Sequence, residues 1–157
     1  MRDLNYILEV FSMKLQRLLS LTRKAIDDYQ MIDANDKIAV GISGGKDSLA
    51  MLYALHELSR FYPKPFSLHA FTVDLGFGIQ DFTAIDALCR GFSVPHTVIP
   101  TDIAEIVFKT RQESNPCSLC AKMRKGALNQ AAKAAGCNKI AYAHHRDDII
   151  ETMLLSL

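Results

Sequence analysis

The chain has 157 residues, about one domain's length, and 49% of them are apolar, which excludes an intrinsically disordered protein. With 18 basic against 17 acidic residues the formal net charge is +1, so no global basic field exists and any nucleic acid has to be held by a local patch. Asp3 and Glu9 interrupt the apolar residues of the N-terminus, which predicts neither a signal peptide nor a membrane span; in the soluble cytoplasmic protein expected from this, the four cysteines are reduced thiols, metal ligands or catalytic groups rather than disulfides.

Leu4, Ile7, Leu8, Phe11, Leu15, Leu18 and Leu19 recur at three- and four-residue steps, which predicts one or two amphipathic helices in an N-terminal segment, residues 1–33. Lys14, Arg17, Arg23 and Lys24 fall on the opposite face, read as solvated rather than RNA-facing. From residue 34 onward strands and helices alternate. Residues 36–42 read as a buried strand, and Leu49, Leu52, Tyr53 and Leu55 give the next segment helical spacing. Two prolines mark a turn at 60–65, and 66–73 reads as a second strand that runs out at Asp74-Leu75-Gly76-Phe77-Gly78. Asp81 is positioned to cap a helix that stops near Gly91, 94–99 is a third strand, and a helical segment from Thr101 ends before the polar run 109–116. Residues 121–135 are helical with Gly136 as C-cap, 140–143 form a fourth strand, and 147–157 a last helix. Four strands separated by helices predict a three-layer α/β domain, a parallel sheet with helices on both faces, which binds ligands at the carboxyl ends of its strands. Met153, Leu154, Leu155 and Leu157 end in an apolar surface without a C-cap, which predicts that the sequence is a fragment.

Ser43-Gly44-Gly45-Lys46-Asp47-Ser48 lies between the first strand and its helix. Glycines there let the backbone approach a phosphate and turn its N–H groups toward it, while the helix start adds unpaired donors and the positive end of its dipole. Ser43 and Ser48 add hydroxyls and Lys46 a charge. The G-x-x-x-x-G-K-[ST] loop is excluded, because counting from Gly41 puts Lys46 where the second glycine is required, and Asp47 follows the lysine. Ala143-His144-His145-Arg146-Asp147-Asp148 falls after the fourth strand, with Glu151 one turn further. Asp147 and Asp148 read as helix-capping carboxylates or, beside a phosphate loop, as Mg²⁺ ligands, Asp148 acting with Asp47. Pro116-Cys117-Ser118-Leu119-Cys120 is compatible with half a zinc site, a redox pair, part of an iron–sulfur cluster or two structural thiols. Its place at a helix start with Lys122, Arg124 and Lys125 following favours thiolate character. Together with Lys109 and Arg111 those cations form the most basic neighbourhood of the chain and the expected RNA-facing patch. Cys89 and Cys137 read as small apolar residues.

With these motifs in this order the chain resembles the tRNA 2-thiocytidine biosynthesis family (TtcA), in the TilS/TtcA group of PP-loop ATP pyrophosphatases. The resemblance runs from about Lys14 to the last residue, and the Cys-x-x-Cys between SGGKDS and HHRDD points to sulfur-inserting members. It implies an adenine nucleotide alpha hydrolase-like (HUP/PP-loop) fold, here without its last strand. It also implies an ATP-dependent enzyme that adenylates an anticodon-loop cytidine, releases pyrophosphate and inserts sulfur to give 2-thiocytidine. Carried over residue by residue, Ser43, Gly44, Gly45, Lys46, Asp47, Ser48, Val73, Asp74 and His144 bind ATP, and Lys46, Asp47 and Asp148 are catalytic. Asp47 and Asp148 hold Mg²⁺, and Cys117 and Cys120 ligate a [4Fe-4S] cluster whose third cysteine is expected beyond residue 157. The implied partners are tRNA, a sulfur donor such as a cysteine desulfurase, and a second copy of the chain. Ala143 stands where the family has glycine, and the 157 residues alone are expected to bind ATP weakly, a point for isothermal titration. A tRNA 2-thiouridine synthetase, a non-catalytic nucleotide-binding module and a zinc-stabilised domain are the alternatives.

Overall fold

The computed structural model describes residues 2–78, 80–111 and 116–144. Helix α1 (Arg2–Asp28) leads into strand β1 (Asp36–Gly41), followed by α2 (Lys46–Ser59), β2 (Phe66–Asp74), α3 (Thr83–Gly91) and β3 (His96–Pro100). A short α4 (Ile103–Glu105) continues directly into a π-helix (Ile106–Arg111), and α5 (Pro116–Ala134) precedes β4 (Lys139–Ala141). The strands form one sheet in the order β3-β2-β1-β4, and every pairing is parallel. The chain moves outward from β1 to β3 and then crosses back to the far side of β1. The strand order therefore reverses between β1 and β4, and a crevice at their carboxyl ends is where such a sheet takes a ligand.

Alternation along the strands builds the three layers. Ile38, Val40 and Ile42 of β1 and its extension, with Leu68 and Ala70 of β2, meet Leu52, Leu55 and Leu58 of α2 and Cys89 of α3 on one face. Ile26 and Ile32, from the end of α1 and the loop after it, join that same cluster. On the other face Ala39 and Phe71 pack on Leu128 and Ala132 of α5. Cys89 is fully buried and Cys137 half-buried, and burial raises both thiol pKa values, as fits apolar packing residues.

The elements follow the predicted order, with β4 at 139–141 in place of 140–143, shifts of one residue at the ends of β1 and β2, and three larger differences. Strand β3 starts at His96 rather than 94, because Ser93 takes a left-handed φ of 54° and Val94 turns inward, its N–H donating to the Cys89 carbonyl at 2.9 Å. Helix α5 starts at Pro116, five residues before the periodic apolar stripe, since proline suits the first helical position. The segment after β3 runs on as a π-helix to Arg111, through the start of the polar stretch where a helix end was expected. The predicted helix 147–157 lies outside the described residues.

At the amino end of the sheet, far from the crevice, buried Asp36 locks β1 to β4. Its carboxylate accepts from the Asp33 N–H at 2.6 Å, from Asn138 Nδ2 at 2.6 Å and from Lys139 Nζ at 2.8 Å. Burial alone would raise its pKa, but the hydrogen bonds from Lys139, Asp33 and Asn138, with the Lys139 charge, bring it down to about 2.

Candidate nucleotide-binding site at the carboxyl ends of the strands

The loop of residues 43–45 turns from β1 into α2 with Gly44 at φ 81°, a left-handed conformation that costs an ordinary residue about 1–2 kcal/mol. Ser48 is the pin of this turn. Buried to 3% exposure, its hydroxyl donates to the Gly45 carbonyl at 2.9 Å and accepts from the Ser43 N–H at 3.2 Å and the Ser43 hydroxyl at 3.3 Å. The Ser43 oxygen in turn accepts from the Gly45 N–H at 3.4 Å. Both serines thus shape the loop by bonds within it. Gly45 occupies the cap position of α2 and makes no side-chain cap hydrogen bond, and the start of a helix is where backbone N–H groups and the dipole favour an anion. Lys46 is exposed at this point and Asp47 half-buried beside it.

A cavity of about 490 Å³ opens in front of the loop, a size suited to a small-molecule ligand. Gly41, Ile42, Ser43 and Ser48 form its floor, and Thr72, Val73 and Leu75 come from the end of β2. Tyr142, Ala143 and His144 follow β4, and Ala121, Lys122, Arg124, Lys125 and Leu128 line it from α5. Of the residues expected to bind ATP, Ser43, Ser48, Val73 and His144 line this one cavity, while Gly44, Gly45, Lys46 and Asp74 are not part of its lining; Lys122, Arg124 and Lys125 of the predicted RNA patch stand on its wall. Three cations on the wall of a cavity floored by the glycine loop and a helix start suit a polyanion such as a triphosphate. Asp47 lines a neighbouring apolar cavity of about 870 Å³ between α1, α2 and β4, and His144 borders both cavities. Tyr142 stacks on His144 with centroids 5.6 Å apart, and its hydroxyl donates to Asn129 Oδ1 at 2.9 Å. His145, Asp147, Asp148 and Glu151 lie outside the described residues, as do the side chains of Lys109 and Arg111, whose backbone belongs to the π-helix.

Cys117 is exposed and Cys120 half-buried at the start of α5. Positions 117, 120, 121, 124 and 128 share one helical stripe, so the cysteines continue toward the N-terminus the very face that lines the cavity with Ala121, Arg124 and Leu128. Cys120 and Arg124 are one turn apart, about 6 Å along the axis. Two thiols on one face with a spacing of three suit shared coordination of a cluster iron or a metal. Among the described residues no set of three or more His, Cys, Asp or Glu side chains gathers.

A polar chain behind the cavity was missed by motif reading. His96, with 3% of its side chain exposed, places Nε2 2.9 Å from Thr72 Oγ1 and bonds through Nδ1 to the Asp86 carboxylate on α3. It fixes the Thr72 hydroxyl at the cavity wall. The period-two alternation of β2 was the available signal, since it puts Thr72 on the α3 side. Beyond Thr72 the strand end is held by Thr101, whose hydroxyl donates to the Asp74 carbonyl at 2.7 Å. Gly76 follows with φ 80°, and a Cβ there would stand 2.6 Å from the Thr101 carbonyl oxygen. Gly76→Ala should therefore lower the unfolding free energy by about 2 kcal/mol or more, read by urea denaturation. An unchanged midpoint would mean that the loop has slack at this contact.

A glycine loop opening a helix at the carboxyl edge of a parallel sheet, with a cationic wall opposite, defines a nucleotide-binding α/β domain. The PP-loop domain model matches residues 10–157, and the chain belongs to that family. It is 40% identical over 142 residues to the tRNA-cytidine(32) 2-sulfurtransferase of Syntrophotalea carbinolica, which covers 90% of this chain and 55% of that protein. The Geobacter metallireducens protein of the same name is 42% identical over 135 residues, 85% of this chain and 52% of its own length. The chain spans about half the length of the curated relatives it matches. Among solved structures, the U34-tRNA thiolase NcsA from Methanococcus maripaludis, with its [4Fe-4S] cluster, is similar at a TM-score of 0.71 and 29% identity, over 94% of this chain and 50% of that one.

Proposed function

We propose that this chain is the ATP-activating part of a tRNA sulfurtransferase that converts an anticodon-loop cytidine to 2-thiocytidine. The observation that supports this most is the run of α5: one helical face carries a cysteine pair and then Arg124 at the nucleotide cavity, with Lys122 and Lys125 of the same helix also on the cavity wall. In this reading ATP lies with its phosphates on the loop of residues 43–48 and its adenine against the backbone of Val73 and Asp74, beside His144. The cytidine carbonyl oxygen attacks the α-phosphorus, and the bond to the β-phosphate oxygen breaks with release of pyrophosphate. Lys46 and the N–H groups of the loop and of the first turn of α2 stabilise the charge that builds on the leaving phosphates. Lys122, Arg124 and Lys125 neutralise the remaining oxygens. Asp47 and Asp148 would hold Mg²⁺, which would supply charge neutralisation for the leaving phosphates. Sulfur then bonds to the activated ring carbon and AMP leaves with the former carbonyl oxygen. Cys117 and Cys120, with a further ligand, would hold a [4Fe-4S] cluster, which supplies the site from which sulfur is delivered; a cysteine desulfurase is the expected source.

A second reading, thiolation of a uridine, is favoured by the similarity to the U34-tRNA thiolase. Nucleoside analysis of tRNA from a strain lacking the gene decides between them. Loss of 2-thiocytidine alone is the expected result, and loss of a 2-thiouridine with 2-thiocytidine intact would replace the first reading by the second. Retention of both would leave a nucleotide-binding module without this catalysis. Among the described residues no helix is long and apolar enough to cross a membrane, and a cytoplasmic place beside tRNA is part of the same proposal.

A further inference from the structure

We propose that Thr72, set by His96 and Asp86, takes a hydrogen bond from the adenosine end of the nucleotide, an inference that rests on the ATP-activating reading above and names how the cavity tells nucleoside from phosphate. Thr72 is buried to 4% exposure and lines the nucleotide cavity at the end of β2, together with Ile42 and Ser43. His96 of β3 stands opposite Ala70 in the parallel register, which puts its ring on the same face of the sheet as Thr72. Its Nε2 lies 2.9 Å from Thr72 Oγ1, and its Nδ1 bonds to the Asp86 carboxylate on α3. With 3% of its side chain exposed, His96 is shut off from solvent, while Asp86 at the outer end is 47% exposed.

The chemistry of the three groups fixes the direction of these bonds. A carboxylate only accepts, so Nδ1 of His96 carries the ring proton and donates it to Asp86. Nε2 of the neutral ring is then an acceptor, and the Thr72 hydroxyl donates to it. What Thr72 has left for the cavity is its lone pairs. An acceptor on that wall is matched by a donor on the ligand and penalises a second acceptor. The phosphates of ATP present only acceptor oxygens, whereas the amino group of adenine and the ribose hydroxyls are donors. Thr72 therefore favours the nucleoside and turns the phosphates toward the loop of residues 43–48 and the cations of α5. Packing alone does not call for this polar chain. Leu52, Leu68, Ala70 and Cys89 make the surrounding cluster apolar, and a buried threonine and histidine beside them cost free energy unless each is paired.

The test titrates the full gene product and its Thr72→Val, Thr72→Ser and Asp86→Ala variants by calorimetry. The probes are ATP, inorganic triphosphate, and three analogues that each lack one donor: purine riboside triphosphate, 2′-deoxy-ATP and 3′-deoxy-ATP. Urea midpoints show that each variant is folded. Thr72→Val should weaken ATP binding about threefold to tenfold, the scale of one hydrogen bond, and Thr72→Ser should restore it. One analogue should bind the wild type and Thr72→Val alike, and that analogue names the donor. Asp86→Ala frees the ring proton to sit on Nε2, so the preference for ATP over that analogue should shrink while inorganic triphosphate binds as before, a pattern that loss of packing would not give. ATP binding by Thr72→Val at wild-type strength would overturn the proposal and leave the ATP reading standing. Equal losses for ATP, all three analogues and inorganic triphosphate would overturn it too, as the mark of a disturbed wall, and an Asp86→Ala variant with wild-type preference would overturn the part given to His96 and Asp86. A wild-type protein that binds none of the adenine nucleotides would overturn both readings.

Discussion

Asp36→Ala should lower the unfolding free energy by about 3 kcal/mol, measured by urea denaturation, because it strips a buried carboxylate from three donors at once. The Asp33 N–H and Asn138 Nδ2 would lose their acceptor, and Lys139 would keep only Asp33, at 3.0 Å, of its two carboxylate partners. Asp36→Asn should cost less, since the amide oxygen still accepts. The pH dependence carries a definite sign. Asp36 ionises more readily in the folded chain, with a pKa of about 2 against an ordinary 3.8. Its contribution is therefore complete above about pH 4 and disappears as the pH falls through 2. The exposed Asp33 carboxyl is also lowered, first by its hydrogen bond from Lys139, and it adds to the same acid-side loss. In the alanine variant the acid slope over that window should flatten. A variant with wild-type stability at pH 7 and the same acid slope would show that the cluster is held by its surroundings rather than by this carboxylate.

The second large effect separates the two halves of the proposed chemistry. Lys46→Ala in the full gene product should lower tRNA-dependent pyrophosphate release by about a hundredfold or more, the scale of losing a charge-stabilising group at a reacting phosphate. Cys117→Ser should leave that release close to the parent while abolishing thionucleoside formation, because Cys117 lies on the part of α5 before the cavity-lining residues. Pyrophosphate measured by coupled assay and thionucleosides measured by chromatography give a crossed result for the pair. If Cys117→Ser stopped pyrophosphate release as completely as Lys46→Ala, the cysteine would be part of the adenylation site and the division of labour along α5 would be wrong.

The strand, glycine loop and helix around Ser43–Ser48 were legible because glycine, lysine and the apolar run of β1 are local signals. The periodic apolar residues of α5 and the cap at Gly136 were legible for the same reason. What escaped was non-local. Asp36 was read only as the first residue of a buried strand, and its partners Asn138 and Lys139 stand about a hundred residues on, visible once the sheet pairs β1 with β4. The chain from Asp86 through His96 to Thr72 joins three elements with no shared motif. The π-helix escaped because one widened turn moves the apolar phase of Ile106 and Val107 by too little to be read over six residues. The basic patch was found as a composition, but periodicity alone did not show that Lys122, Arg124 and Lys125 turn toward the nucleotide cavity.

The strand order sets a timetable for synthesis. β2 can zip onto β1 once a short helix has been made, but the opposite edge of β1 waits for residues 139–141, nearly a hundred positions later. At ordinary translation speeds of about 5–20 residues per second that edge stays bare for roughly 5–20 s on the ribosome. An apolar strand with unpaired amides over such an interval is a docking invitation to any neighbouring nascent strand, so premature termination before β4 should yield aggregates rather than a smaller soluble domain.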